Sequence, residues 1–338
     1  MLITRWERFK SHKRAKWSLY ILFFLTMISL GAEFIANDCP LIVKKEGHYF
    51  FPVLFQYAET DFGGEFKTPA NYRSSYFKKL IYDNDGWMVW PLIRFSYDTH
   101  DFKLNQPAPS PPSLTHPLGT DDRARDILAN LIYGYRISLG FGLGLTFVCA
   151  LMGLYIGALQ GFYGGKIDLY GQRFIEIWTG LPSLYVLIIL SSLFQPGFWM
   201  LFFVMFLFGW PSLVGIVRAT FLKGRCLEYV VSAKMMGVSD HAIMFRHIFP
   251  NAMIVSLTLI PFMITENIAA LTALDFLGFG LPPGSASLGS LLAQSKSNLY
   301  APWIGLSVFV TLSLLMSLLV FVGEGVRDAF DPRLNESC

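Results

Sequence analysis

Residues 229–251 read Tyr229-Val230-Val231-Ser232-Ala233-Lys234-Met235-Met236-Gly237-Val238-Ser239-Asp240-His241-Ala242-Ile243-Met244-Phe245-Arg246-His247-Ile248-Phe249-Pro250-Asn251. Tyr229 to Met236 can form a short helix, Gly237 can end it, and Ser239 or Asp240 can cap a second helix that stops before Pro250. Small residues at Ser232, Ala233 and Gly237 suit a hairpin that docks in another protein's groove, although spacing alone fits any amphipathic hairpin. On its two sides stand the apolar runs Trp199 to Val217 and Ala252 to Leu274. Each is long enough to cross ~30 Å of hydrocarbon, which takes roughly 20 residues. The segment therefore reads as a loop between two membrane spans.

Working outward, six such runs occur: Trp17 to Ala36, Ile137 to Leu159, Ile175 to Phe194, Trp199 to Val217, Ala252 to Leu274 and Trp303 to Gly323. Their 126 residues hold three charges, Glu33, Glu176 and Glu266. Buried helices of large soluble proteins rarely stay so free of charge, so we read membrane spans. The 338-residue chain is 53% hydrophobic and 15% charged, against about 25% charged in an average soluble domain. That excludes a disordered chain and argues against an ordinary soluble enzyme. A formal net charge of +3 is too small at this length to imply a nucleic-acid partner. Cys39, Cys149, Cys226 and Cys338 lie far apart without a CxxC, so neither a disulfide framework nor a zinc site is read from them. The first run exceeds a signal peptide's apolar stretch of roughly 7–15 residues and no A-x-A site follows, so an uncleaved anchor is expected.

Lysine and arginine set the expected orientation. Arg5, Arg8, Lys10, Lys13, Arg14 and Lys16 precede the first run, and Lys166, Arg173, Arg218, Lys223, Arg225, Lys234, Arg246, Arg327 and Arg333 fall on the same side of a six-span chain. The short outer segment 195–198 has no basic residue and Asp275 to Pro302 has one, Lys296. This positive-inside pattern places both termini in the cytoplasm. The expected organisation is a cytoplasmic start (1–16), a first transmembrane helix (17–36), an outer insertion with an interfacial helix (37–134), a membrane core (135–326) and a cytoplasmic tail (327–338). The core holds spans at 137–159, 175–194, 199–217, 252–274 and 303–323, with a cytoplasmic loop at 218–251. The insertion carries 22 of the chain's 51 charges in 98 residues, and long segments cross largely regardless of charge. Its aromatics, among them Tyr49, Phe50, Phe55, Trp87 and Trp90, can bury something, whereas Pro107, Pro109, Pro111 and Pro112 make a stiff stretch. Ile127, Leu128, Leu131, Ile132 and Tyr135 share one helical face. Thr120-Asp121-Asp122 is read as that helix's start, lying along the membrane surface before the second span.

Inside the spans, Gly153, Gly157 and Gly161 fall four apart, a packing seam for another helix or simply glycines tolerated by lipid. Pro182, Pro211 and Pro261 can kink their helices. Glu266, beside Asn267, sits mid-span, where an ionisable group is by default a functional candidate. A protonated glutamate bonded to a neighbouring helix is the other reading.

Several motifs now combine. The loop resembles the EAA loop of binding-protein-dependent ABC importer permeases, E-A-A, three residues, Gly, nine residues, I-x-L-P. Ala233, Gly237 and Pro250 match, while Val231, Ser232, His247 and Phe249 replace the Glu, the first Ala, the Ile and the Leu. Arg246-His247-Ile248-Phe249-Pro250-Asn251 is similar to the R-H-I-L-P-N of the oligopeptide/dipeptide branch. So are His116-Pro117-Leu118-Gly119-Thr120-Asp121-Asp122 with Arg125-Asp126, Gly161-Phe162-Tyr163-Gly164-Gly165-Lys166-Ile167-Asp168, Leu274-Asp275-Phe276-Leu277-Gly278-Phe279-Gly280, and Gly323-Glu324 to Asp331-Pro332. The resemblance covers roughly residues 105–332. The long outer segment and Gln172-Arg173-Phe174-Ile175-Glu176-Ile177-Trp178 look like the C-type permease subunit of the microcin C/oligopeptide (Yej-type) importers.

The resemblance implies an all-α membrane protein, six transmembrane helices of the type I ABC importer (MetI-like) permease fold with a large periplasmic insertion after helix 1. It implies import of oligopeptides or microcin C-like peptide antibiotics across the bacterial inner membrane by alternating access. The partners would be a homologous sister permease, a cytoplasmic ABC ATPase with two nucleotide-binding domains, a periplasmic peptide-binding protein, the lipid membrane and the peptide substrate. The ATPase-coupling residues would be Tyr229, Ser232, Ala233, Met236, Gly237, Ser239, His241, Arg246, His247 and Pro250, with Ala233 and Gly237 packing most closely against the ATPase. No catalytic residue, metal ligand or cofactor site is expected in this chain: GxxxxGK[ST], HExxH and GxSxG are all absent. ATP and Mg would be bound by the partner ATPase. Three rival classes stand beside this reading: a proton-coupled secondary peptide transporter using Glu266, a type of fold that often shows inverted repeats, of which none is clear here; an intramembrane enzyme, for which no nucleophile–base or metal cluster is visible; and a structural scaffold, which would need no ATPase contact.

Overall fold

A computed structural model describes residues 2–83, 86–104, 106–193, 197–282 and 284–330. The expected span end Phe194, residues 195 and 196 of the outer segment 195–198, residue 105 and the tail from Asp331 with Pro332 lie outside those residues.

In chain order the elements are α1 (Leu2–Ser11), α2 (Lys13–Leu30), α3 (Ala32–Ile35), β1 (Ile42–Lys45), β2 (His48–Phe50), α4 (Ser75–Tyr82), β3 (Trp87–Val89), α5 (Ile127–Tyr163), α6 (Gly165–Thr179) and α7 (Ser183–Leu193). Then follow α8 (Phe198–Gly209), α9 (Pro211–Gly224), α10 (Glu228–Met235), α11 (Asp240–Ala242), a π-helical segment (Ile243–Ile248), α12 (Phe249–Phe276), α13 (Leu288–Ser297) and α14 (Pro302–Phe330). Four helical stretches are long and apolar enough to cross a membrane: Ile127–Tyr163, Phe198–Gly224, Asp240–Phe276 and Pro302–Phe330. A fifth qualifies if the bent pair Gly165–Thr179 and Ser183–Leu190 is one span.

Five sequence expectations change. The first run is not one helix from 17 to 36. Lys13, Arg14 and Lys16 occupy the start of α2, which stops at Leu30, and α3 follows after Gly31. The third run bends by 64° between α6 and α7, because Pro182 has no N–H to continue the ladder and disfavours helix at Leu181. The interfacial helix does not stand apart from the second span: residues 127–163 form one helix. Nor do Thr120-Asp121-Asp122 start it. The Asp121 carboxylate is taken by the backbone N–H groups of Arg123 (2.9 Å) and Arg125 (2.8 Å) and by the Arg125 side chain, and the cap is Asp126, accepting from the Ala129 N–H at 2.8 Å. Finally, the helix opened by Ser239 does not stop before Pro250. The wider π turn at 243–248 sits where the Pro250 ring would otherwise press on the preceding turn, and the helix runs on to Phe276.

The chain forms two compact units. One comprises Met1–Leu22, Ser138–Pro282 and Ser313–Cys338. Its core gathers Phe141, Leu145, Val217, Phe221, Ile248 and Leu271, each at most 1% exposed. The other comprises Phe23–Ile137 and Pro283–Leu312. It holds a small antiparallel sheet of order β2-β1-β3, with Val43 opposite Phe50 on one side and Met88 on the other. Glu46 and Gly47, both at positive φ, make the tight turn from β1 to β2. The sheet closes on Ile81 and on Phe62, Tyr72 and Phe77, whose three rings meet edge to face at about 5 Å to 6 Å. The insertion is thus an ordered fold built by its aromatics.

Candidate functional site: the hairpin at 228–251

Helix α10 ends in a double turn of backbone bonds. The Gly237 N–H bonds to the Lys234 carbonyl (3.1 Å) and the Val238 N–H to the Ala233 carbonyl (3.2 Å), the Schellman pattern. Gly237 takes φ +81°, while a Cβ there would meet nothing within 4 Å. Glycine is required for its backbone angle and not for space. The Ser239 hydroxyl then accepts from the Ala242 N–H at 3.4 Å and opens the next helix.

The hairpin has two sides. Val230, Ala233, Ile243, Met244 and Ile248 are buried in the chain's own core. Ala233 therefore packs inward and not against another protein. Tyr229, Ser232, Met235, Met236, Gly237, Ser239, His241, Phe245, Arg246 and Pro250 are exposed, and His247 is half-buried. Met235 and Met236, at 79% and 76%, are the most exposed apolar side chains here. The His241 ring stacks parallel on Phe245 at 6.4 Å, and His247 faces Tyr229 at the same distance. The result is an exposed apolar surface of unbranched methionines and aromatics, adaptable in shape. Met235 and Phe245 escaped the sequence reading, although a helical wheel through 228–236 would have put Met235 beside Ser232 and Val231.

Two arrangements tie this hairpin to the helices. Gly224 lies so near the π segment that a Cβ would stand 2.8 Å from Ile248 Cγ2. Further up, α9 packs along Gly153, Gly157 and Gly161 of α5. A Cβ at Gly157 would lie 2.8 Å from Val217 Cβ and 2.9 Å from the Val214 carbonyl oxygen, and one at Gly161 would lie 2.5 Å from the Arg218 carbonyl oxygen. All three glycines thus lie in close contact with the chain at 210–221, whereas around Gly140 there is open space. At the lower end of the seam Arg218 grips the Asp168 carboxylate with two nitrogens, one at 2.6 Å. Arg225 reaches the Phe162 carbonyl at 3.4 Å. Both cations thus bind the turn 161–168, a motif noticed in the sequence without its partners.

Glu266 points out of the chain and has no hydrogen-bond or ionic partner among the described residues. Its neighbour Asn267 donates to the Thr146 hydroxyl at 2.8 Å, across to α5. Placing an acidic side chain such as Asp at the centre of a lipid-facing helix costs about 2.5–3.5 kcal/mol.

In the second unit, the motif 116–126 folds into a buried polar latch. His116, 1% exposed, meets Asp126 through Nδ1 (2.8 Å) and Asp101 through Nε2 (3.3 Å) and lies 4.3 Å from the Phe95 ring. Burial alone would lower the His116 pKa, but hydrogen bonds and charge from Asp126 and Asp101 outweigh it and hold it above the ordinary 6.5. Arg125 and Asp121, 3% and 0% exposed, pair at 2.7 Å beside it.

Residues 150–336 match the family model described as the binding-protein-dependent transport system inner membrane component. The chain is 52% identical, over 97% of its length and 96% of the relative's, to the inner membrane ABC transporter permease protein YejE of Escherichia coli K12. It is 48% identical, over 97% and 92%, to the peptidoglycan transport system permease protein YejE of Agrobacterium fabrum. It is 33% identical, over 72% and 79%, to the oligopeptide transport system permease protein OppC of Bacillus subtilis.

Proposed function

Because the chain belongs to the family of binding-protein-dependent transport system inner membrane components, a family of ABC transporter permease subunits and not of enzymes, we propose that it forms part of the passage for peptides in an ATP-driven importer of the bacterial inner membrane. The observation that carries this reading is similarity over nearly the whole chain to ABC permeases, with relatives named for oligopeptide and peptidoglycan transport. The shared chemistry of those cargoes is a short peptide; microcin C-like peptide antibiotics fit the same description.

A sister permease completes the passage, a periplasmic peptide-binding protein delivers cargo, and a cytoplasmic ATPase with two nucleotide-binding domains binds ATP and Mg. In this arrangement α2 with α3, and α6 with α7, each count as one span. Six spans result, with both termini cytoplasmic and residues 37–134 periplasmic. The exposed face of Tyr229, Met235, Met236, His241 and Phe245 docks in the ATPase. ATP-driven closure of the ATPase moves the hairpin, and Gly224, the Gly153–Gly157–Gly161 seam and the Arg218–Asp168 pair pass that motion to α5, α6 and α9. Alternating access is then a two-state repacking biased by ATP.

Reconstitution of this chain with a sister permease, ATPase and binding protein should give ATP-dependent uptake of labelled peptide. Uptake driven by a proton gradient without ATP would instead support the rival proton-coupled transporter. Gly237→Asp should abolish uptake while the subunit still reaches the membrane. Normal uptake by that variant would remove the hairpin from the coupling route.

A further inference from the structure

We infer that Glu266 is a cargo-binding carboxylate: it faces the passage at mid-membrane and pairs with a cationic group of the peptide as it crosses. The inference rests on the peptide-importer reading above and adds a chemical selectivity to it.

Three observations lead there. Glu266 stands 17 residues along α12, within about one helical turn of the middle of the apolar stretch 252–274. Its side chain is exposed on the subunit and has no partner among the described residues. The polar residues around it are already engaged: Thr265 donates to the Pro261 carbonyl at 2.9 Å and Asn267 to Thr146 at 2.8 Å. The carboxylate is thus the group left over for something outside the chain. Lipid is the wrong neighbour, since an ionised side chain at this depth turns toward a partner or a water-filled path.

The same face is small where it continues outward. Ala269 and Ala273, three and seven residues on, are exposed as well, so they leave room beside the carboxylate. Peptides carry an ammonium at one end and ammonium or guanidinium groups on lysine and arginine. A carboxylate in a low-dielectric passage recognises either by a charge-assisted hydrogen bond. The two sources differ in covalent position and can be separated by experiment.

The test uses the complete reconstituted importer and three probes of equal length: Ala-Lys-Ala, the same peptide with norleucine for lysine, and its N-acetylated form. In the wild type, kcat/KM should favour the peptide bearing the relevant cation, the acetyl arm reporting the amino terminus and the norleucine arm the side chain. In Glu266→Gln that preference should fall by roughly 10- to 100-fold, the range expected for one charged hydrogen bond, and Glu266→Asp should keep most of it. Co-purification with the sister permease checks assembly of both variants. In a cysteine-free background, Glu266→Cys should react with a water-soluble thiol reagent and be protected by Ala-Lys-Ala. An equal loss for all three peptides in Glu266→Gln would make Glu266 a structural ion pair with the sister subunit and overturn the inference. Unchanged preference would overturn it too. Failure of the wild type to import any peptide would overturn the importer reading and this inference with it.

Discussion

The glycine seam and the His116 latch hold their units together by opposite means. Along most of the contact between α5 and the chain at 210–218 it is shape that works: Gly153, Gly157 and Gly161 let Trp210, Val214 and Arg218 bring their carbonyls to contact. Lipid is as apolar as the side chains, so the hydrophobic effect gives such helices little reason to associate, and close packing does. The latch in the other unit contains a buried carboxylate, Asp126, and a half-buried one, Asp101, on one histidine, and a buried Arg125–Asp121 pair. It is built where loops supply donors and acceptors at short range. The difference teaches that a seam fails by adding atoms, and a latch by removing them.

The largest effect should come from breaking the latch. Asp121→Ala leaves Arg125 buried without its carboxylate and should destabilise the second unit by about 3–5 kcal/mol, read as early protease cleavage within 106–126 of the purified chain. Next, Gly157→Val forces a branched side chain against Val217 and the Val214 carbonyl and should cost about 1–3 kcal/mol, measured as a lower unfolding temperature in detergent. A value-neutral result there would mean that α9 can retreat, which the close backbone approach disallows.

The pH dependence of the latch is smaller and has a definite sign. Because the folded His116 pKa lies above its ordinary value, its contribution is complete below about 6.5 and is lost as pH rises through the raised value. Unfolding followed from pH 6 upward should show this decline, and His116→Gln should remove it. Smallest of all, Gly140→Ala should be neutral or stabilise by up to about 1 kcal/mol, since open space surrounds Gly140. Its contrast with Gly157, on the same helix, is the sharpest check that contact and not glycine content makes the seam.

Much of this was readable from the sequence where the cause is local. Long apolar runs with few charges read as helix from their composition alone, and Gly237 and Ser239 cap the hairpin because caps need only their immediate neighbours. Helix ends were harder. Pro250 read as a stop, yet a π turn accommodates it; Pro182 sat inside an apolar run and broke it. Pairings at long separation were out of reach. Nothing in Gly161–Asp168 names Arg218, 50 residues on, and nothing in His116 says that Asp126 and Asp101 will both face it. Ala233 matched a motif position, but which side of α10 it occupies depends on Ile243 and Met244, which come back only after the turn. The insertion's aromatics announced a core, while its sheet order needed contacts between β1 and β3 across more than 40 residues.

The π segment at 243–248 has an arithmetic consequence. A π turn holds one residue more than an α turn. A homologous chain lacking one residue here would keep an unbroken helix from 240 to 276, but everything on the loop side would be turned by about 100° relative to the buried part. Met235, Met236 and Phe245 would then present a different side to their surroundings without any change of residue. Length in these six positions is therefore an inherited setting of orientation, distinct from composition, and one that a substitution-by-substitution comparison of relatives would pass over.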